Sequence, residues 1–314
     1  MKRTTPTTRA ARKRSSASST AISRMWNNQA RQRARTGRGV MSGSEARILF
    51  LDIDDTLLTR DKRVTEENDR AIRRAVEAGH RVVLCSGRPH PATIRVAEQI
   101  GLAGPGFYAI SYNGGQIYDC GRRESIFRNT ISLDDVRMLF READSFGFHI
   151  QTYDSGSMIV RAMTREAEFY ESAIRMPVRI VPELPDGLTE EPVKVLMIDL
   201  DETGVLDRYR ERILAAAGDR LSLFMSNRWY LECVPKGISK GFAVKWLCDY
   251  LGIPVERSVA AGDSENDLEM IRTAGTGCAM ANACAALKET AGYITERDCD
   301  ESGVAEVIDK FILS

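Results

Sequence analysis

The chain has 314 residues, enough for one large domain or two ordinary ones with a sizeable core. Hydrophobic residues make up 43% and charged residues 28%, which suits a soluble globular protein and excludes fibrous and low-complexity classes. The net charge of zero hides an asymmetry. Eleven of the 44 Lys and Arg side chains lie in residues 1–40, where there is no acid, so the rest of the chain sets 33 basic against 44 acidic side chains.

Residues 1–43 are rich in Arg, Ser, Thr and Ala and cannot bury enough apolar surface to offset their ordering entropy. They are expected to form a disordered basic tail, solvated or produced by an over-long reading frame whose proper start is Met41. A nucleic-acid-binding arm and an organellar transit peptide are the sharper alternatives. The acidic remainder argues against nucleic acid as a partner of the folded part. No stretch reaches the roughly 20 apolar residues of a membrane span, and no apolar segment follows the N-terminal charges as a secretory signal requires. The seven cysteines (85, 120, 233, 248, 278, 284 and 299) include no CxxC and fit neither a disulfide framework nor a zinc site. Reduced thiols in a cytoplasmic protein are the expectation.

Residues 47–53 form a short apolar run of the kind found in a buried strand. A helix is predicted over 66–78, with Ala71, Ile72, Ala75 and Val76 on one face and Gly79 as its stop. A strand at 82–85, a helix near 91–100 and a strand at 108–111 follow. Late in the chain come a helix over 240–251, a strand at 259–261, a helix near 265–273, a short strand at 277–280 and helices near 283–290 and 302–312. Strands alternating with helices predict βαβ units around a parallel sheet. Trp246 is expected to pack its helix against that sheet.

Residues 127–230 read differently. Helices are predicted over 133–146, 164–174 and 205–216. Strands are predicted at 148–153, 157–161, 193–199, 221–225 and 229–234, which is an α+β pattern with antiparallel pairing. The simplest organisation is a doubly wound, Rossmann-like α/β core built from 44–126 and 231–314, interrupted by an inserted module at 127–230.

Four features sit where parallel strands end, the edge at which open α/β sheets bind ligands. Asp52-Ile53-Asp54-Asp55-Thr56 gathers three carboxylates that repel one another, and a divalent cation would give them a reason to be there. An acidic turn is the plainer reading. Cys85-Ser86-Gly87-Arg88-Pro89 offers a hydroxyl, an approachable backbone and a guanidinium, either a phosphate cradle or a strand-to-helix turn capped by Ser86. Lys240 opens a helix, where the dipole disfavours a cation, so it either meets an anionic partner or projects from the surface. In Gly262-Asp263-Ser264-Glu265-Asn266-Asp267, two acids four residues apart flank a helix start, as a site or as a cap. Four such features after four strand ends in one chain point to a shared site.

In this order, DIDDT, CSGRP, SKG and GDSENDLEM resemble the four motifs of the haloacid dehalogenase-like phosphatases. The module inserted between the second and third motifs, preceded by SYNGG at 111–115, resembles the Cof-type subgroup, subfamily IIB, with a C2B cap domain. The resemblance covers about 46–314. Asp55 departs from it, standing where many relatives have glycine.

The resemblance implies a magnesium-dependent phosphatase that hydrolyses a small phosphorylated metabolite (a sugar phosphate, nucleotide or phosphorylated cofactor) through an aspartyl-phosphate. Asp52 would be the nucleophile, ionised at neutral pH with an ordinary carboxylate pKa. Asp54 would be the general acid and base, with a pKa raised by its charged neighbour. Ser86 and Lys240 would stabilise phosphoryl oxygens. Mg²⁺ would be held by Asp52, Asp54 and Asp263, with Asp267 in support. Gly87, Arg88, Asn113, Gly114 and Asn266 would face the phosphate or substrate. Phosphoryl transfer of the phosphomutase kind and a non-catalytic binding role are the alternatives. A homo-oligomer is compatible with the sequence.

Overall fold

The computed structural model describes residues 46–314, so the expectations for residues 1–43 lie outside the described residues. The apolar run becomes strand β1 (Ile48–Leu51), whose four side chains are all buried. Helix α1 (Glu66–Glu77) is capped by the Thr65 hydroxyl, which accepts from the Asn68 amide. It leads to β2 (Arg81–Cys85), helix α2 (His90–Gln99) and β3 (Tyr108–Ser111). After the inserted module come helix α6 (Lys240–Leu251), β12 (Ser258–Gly262), α7 (Leu268–Thr273), β13 (Thr276–Ala279), α8 (Ala285–Thr290), β14 (Tyr293–Ile294) and α9 (Gly303–Phe311).

These strands form one eight-stranded sheet in the order β14-β13-β12-β1-β2-β3-β4-β5. The pairings from β14 through β3 are parallel, whereas β4 (Gln116–Asp119) and β5 (Glu124–Arg128) extend the edge antiparallel. The parallel-sheet α/β core is as the periodicity predicts. The three strands absent from that reading, β4, β5 and β14, lie at the sheet's two edges. Edge strands carry mixed polar sequence and so lack the apolar signature of β1. Trp246 of α6 lies 5.4 Å from the Phe127 ring of β5 and stacks on Tyr250, seating the helix on that edge.

The middle of the chain builds a second sheet in the order β10-β11-β9-β6-β7-β8. Its elements run α3 (Leu133–Phe146), β6 (His149–Tyr153), β7 (Met158–Val160), α4 (Arg165–Ile174), β8 (Val178–Ile180), β9 (Val195–Ile198), α5 (Val205–Ala217), β10 (Leu221–Asn227) and β11 (Tyr230–Pro235). All pairs are antiparallel except β7 with β8. Helices α3 and α5 share an apolar cluster that includes Phe140, Tyr209 and Ile213. The limits expected for the module, 127 and 230, shift by a few residues: residue 127 lies in β5 of the core sheet, and residue 230 opens β11, which belongs to the module's sheet through Pro235.

One feature of topology places the chemistry. The chain leaves β1 toward β2 on one side, while β12 pairs with β1 on the other. Their register sets Leu51 opposite Ala261, and the Asp52 amide donates to the Ala261 carbonyl at 3.0 Å. Asp52 and Asp263 therefore emerge side by side at a switch point of strand order, where doubly wound sheets open a crevice.

Candidate active site

Beyond β1 the backbone turns tightly through Ile53–Leu57, with Asp55 in the left-handed region at φ 54°. Asp52 is buried, and Lys240 donates to its Oδ1 at 2.5 Å. The same ammonium donates to Asp267 Oδ1 at 2.5 Å. Lys240 is wholly buried, so its unfavourable place at a helix start is answered by two carboxylates. The other oxygen of Asp267 accepts from the Asp263 and Ser264 amides at 3.0 and 3.1 Å. Gly262 makes this packing feasible, because a Cβ there would stand 2.5 Å from Asp267 Cγ. Asp263 accepts from Thr56 Oγ1 at 3.1 Å and from Ser264 Oγ at 2.9 Å.

Two groups of ligand atoms among the described residues are close enough to share a cation. Asp298, Cys299 and Asp300 form one, but both of its carboxylates are paired with Arg60. Asp52, Asp263 and Asp267 form the other, with ligand atoms within 4.8 Å of one another. Hard carboxylate oxygens suit a divalent cation such as Mg²⁺, so this donor set fits a metal. The oxygens of Asp267 are held by the Lys240 ammonium and two backbone amides. Those of Asp263 meet only the rotatable hydroxyls of Thr56 and Ser264, and Asp52 meets Lys240 through Oδ1, which leaves Asp52 and Asp263 the better disposed of the three.

The electrostatics correct two expectations. Asp52 does not keep an ordinary carboxylate pKa: burial raises it well above, the charges of Asp267, Asp263 and Asp54 add to that, and Lys240 opposes them. Asp54 shifts the other way. Burial favours its neutral form, but the hydrogen bonds and charge of Arg88, helped by Lys62, outweigh this and hold it at about 2. Arg88 Nε and Nη2 each contact one Asp54 oxygen at 2.7 Å, and Lys62 Nζ is 3.0 Å from Oδ1. The sequence leads one to expect a neighbouring anion to dominate at Asp54, whereas two cations contact its carboxyl directly. Asp263 is pushed up to about 7 by burial and then by the charge of Asp267.

A cavity of about 610 Å³ lies over these residues. Asp52, Asp54, Ser86, Gly87, Arg88, Asp263 and Asn266 form its floor, while Phe169, Tyr170, Trp229, Tyr230 and Glu232 of the inserted module form its roof. Another of about 570 Å³ lies at the opposite ends of the strands, around His80 and Ser258, away from the carboxylates. The structure therefore brings the four sequence features together. Lys240, wholly buried with its ammonium on Asp52 and Asp267, is one of three expected phosphate or substrate contacts that do not reach the cavity wall. Asn113 is buried behind it, donating to Glu232 Oε2 at 2.6 Å and accepting from Asn266 at 3.0 Å. Gly114 serves packing, since a Cβ there would stand 2.2 Å from the Ser239 carbonyl oxygen and its φ is +98°.

Sequence reasoning missed Lys62 and the whole roof, and it gave Thr56 and Ser264 no part in holding Asp263. An available signal was an acid or a lysine at a strand of apolar neighbours, as at Glu232 in Tyr-Leu-Glu-Cys-Val and Lys194 before Val-Leu-Met-Ile.

A doubly wound sheet with paired carboxylates at its switch point and an α+β module over them defines a hydrolase of the phosphoryl-transferring kind. The chain belongs to the haloacid dehalogenase-like hydrolases, whose family profile matches residues 49–308, and it is a phosphatase of that family. It is 32% identical to a Streptococcus pyogenes protein named as a candidate phosphatase, over 85% of this chain and 99% of that one. It is 28% identical to a Bacillus subtilis 5-amino-6-(5-phospho-D-ribitylamino)uracil phosphatase, over 86% and 97% of the two chains. A solved haloacid dehalogenase-like hydrolase from Bacteroides thetaiotaomicron superposes with a TM-score of 0.78 at 30% identity, covering 85% of this chain and 99% of that one. No helix among the described residues is long and apolar enough to cross a membrane.

Proposed function

We propose that the chain hydrolyses a small phosphorylated metabolite by way of a phosphoryl-Asp52 intermediate, with Mg²⁺ as its metal. The observation that carries this is the placement of Asp52 on the cavity floor, oriented by Lys240 and beside Asp263.

Asp52 and Asp263, with the Asp54 backbone carbonyl, would hold the cation, and Asp267 would orient Lys240 from behind. A bound divalent cation supplies positive charge that offsets the repulsion between a carboxylate nucleophile and a phosphate. Asp52 attacks phosphorus through the oxygen not held by Lys240, and the leaving oxygen departs with a proton from Asp54. Water then attacks the acyl phosphate while Asp54 takes up its proton. Asp54 is an anion in the resting fork with Arg88, so it takes that proton from solvent as Arg88 turns toward the phosphate, and the attacking water of the second step returns one to it. A guanidinium binds phosphate oxygens in the same forked geometry as a carboxylate. Ser86 and Gly87, at the end of β2, face the same space and suit the phosphoryl oxygens.

Phe169, Tyr170, Trp229 and Tyr230 on the roof favour a leaving group that carries a planar ring. The named substrate of the Bacillus relative contains one, a uracil.

The test is phosphate release from a panel of metabolite phosphates with Mg²⁺ or with chelator, using Asp52→Asn as control. The expected outcome is Mg²⁺-dependent release that falls roughly 10⁴-fold or more in the variant. Undiminished release by Asp52→Asn would refute the nucleophile.

A further inference from the structure

We propose that Lys194 and Glu232 of the inserted module are positioning residues that couple its seating to the geometry of the phosphate-facing loop. The inference rests on the reading above, in which Ser86, Gly87 and Arg88 meet the phosphate.

Lys194 lies just before β9 and Glu232 within β11, and both are buried. Lys194 Nζ donates to Glu232 Oε2 at 2.9 Å and to the Gly87 carbonyl of the core at 2.8 Å. The same Glu232 oxygen accepts from Asn113 Nδ2 at 2.6 Å. Asn113 in turn donates its backbone amide to the Ser86 carbonyl at 3.0 Å and accepts from Asn266 at 3.0 Å. One buried ion pair of the module is thus wired to the loops that follow β2, β3 and β12. The wiring is tight at Gly87, where a Cβ would stand 3.0 Å from the Asn113 amide atoms.

Energetics separate a positioning role from a stabilising one. Desolvating two charges can cost as much as their attraction returns, so a buried ion pair is weak support for stability. Here its partners outside the module are groups of the active-site loops. Were the module to lift, the Gly87 carbonyl would lose its ammonium and Asn113 its carboxylate, and nothing else described holds that carbonyl. The loop attains its phosphate geometry only with the module seated, whichever leaving group is present.

The test uses the full chain with Mg²⁺, p-nitrophenyl phosphate as substrate and orthovanadate as inhibitor. In Lys194→Met and Glu232→Gln, kcat should fall on the order of 10²-fold, as small misplacements of catalytic groups do. KM should stay within about threefold, and the orthovanadate inhibition constant should rise with the loss of kcat, the pattern of an interaction made mainly in the transition state. Lys194→Arg, which keeps the charge and the donors, should recover part of the rate. A merely structural pair would lower the melting temperature and leave kcat of the folded enzyme unchanged. Folded variants with kcat and orthovanadate inhibition within about twofold of the parent would overturn the proposal. Where a single change unfolds the chain, the double variant Lys194→Met with Glu232→Gln leaves no lone buried charge and is judged by the same criteria. Failure of the underlying reading looks different: the parent itself would release no phosphate, or Asp52→Asn would release it undiminished.

Discussion

Arg88 grips Asp54 with both arms of its guanidinium, Nε to Oδ2 and Nη2 to Oδ1, each at 2.7 Å. The fork holds the carboxyl at about 2 although burial alone would raise it. An arriving phosphate competes for the same donors, so one cation serves two anions in turn. Replacing Arg88 with Met should therefore act twice. KM for p-nitrophenyl phosphate should rise about tenfold, because a charge-assisted contact to phosphate is lost. The Asp54 carboxyl should titrate above about 2, since burial is then opposed by Lys62 alone. Carbon-13 NMR of the labelled carboxyl reads the second effect, and an unmoved titration would show that Arg88 does not set it.

Asp55 stands in the left-handed region at φ 54°. Its carbonyl accepts from Asn282 Nδ2 at 2.7 Å, and its carboxylate accepts from Lys62 at 3.1 Å. Asp tolerates this conformation better than most side chains, and glycine adopts it freely. Asp55→Gly should leave stability within about 0.5 kcal/mol, because lost strain offsets a half-exposed ion pair. Asp55→Val should cost about 1–2 kcal/mol from the left-handed penalty for a branched side chain. Urea unfolding midpoints decide between them, and a Val variant as stable as the Gly variant would contradict this account of the turn.

How much of this was legible beforehand depends on how local each signal is. Asp52, Asp54 and Asp263 follow strands whose apolar runs identify them, so their place at one sheet edge followed from the alternation of elements. The fork between Arg88 and Asp54 joins residues 34 apart, and no local pattern reveals which cation reaches a carboxylate first. The expected direction of the Asp54 shift failed for that reason. The roof of the cavity was beyond reach in the same way. Tyr170 sits on helix α4, Trp229 in the turn between β10 and β11 and Glu232 on β11, all within the inserted module, and only the docking of that module makes them neighbours of Asp52. Asn113 was placed at the substrate from its motif, whereas Glu232 draws it behind the wall.

Lys240 is the only described cation bonded to either Asp52 or Asp267, and it joins both. Lys240→Met would leave two buried carboxylates without their counter-charge, a loss of about 3–5 kcal/mol. Mg²⁺ should restore part of that stability, since it binds the folded state and supplies the missing charge. Thermal melts of the variant with chelator and with Mg²⁺ test this. A melting temperature equal to the parent's without metal would mean that the carboxylates do not depend on Lys240.

Metal binding should depend on pH in a direction fixed by Asp263 and Asp52. Asp263 titrates at about 7 and Asp52 well above its ordinary value, both chiefly through burial. Unfolded carboxylates ionise near pH 4. Between about 4 and 7 the folded, metal-free chain therefore carries protons that the unfolded chain has lost, and its stability from these groups falls as pH rises through that window. A cation binds only the anionic forms and displaces those protons. Affinity for Mg²⁺ should weaken by about tenfold for each pH unit below 7, per proton displaced. The thermal stabilisation by Mg²⁺ should accordingly be larger at pH 8 than at pH 6. Calorimetric titration in buffers of differing ionisation enthalpy counts the protons directly, with close to one expected from Asp263 at pH 6. Asp263→Asn, which cannot ionise, should bind Mg²⁺ weakly and with a shallower pH dependence. Equal Mg²⁺ affinity of the parent at pH 6 and pH 8 would show that neither carboxyl is protonated in the metal-free site.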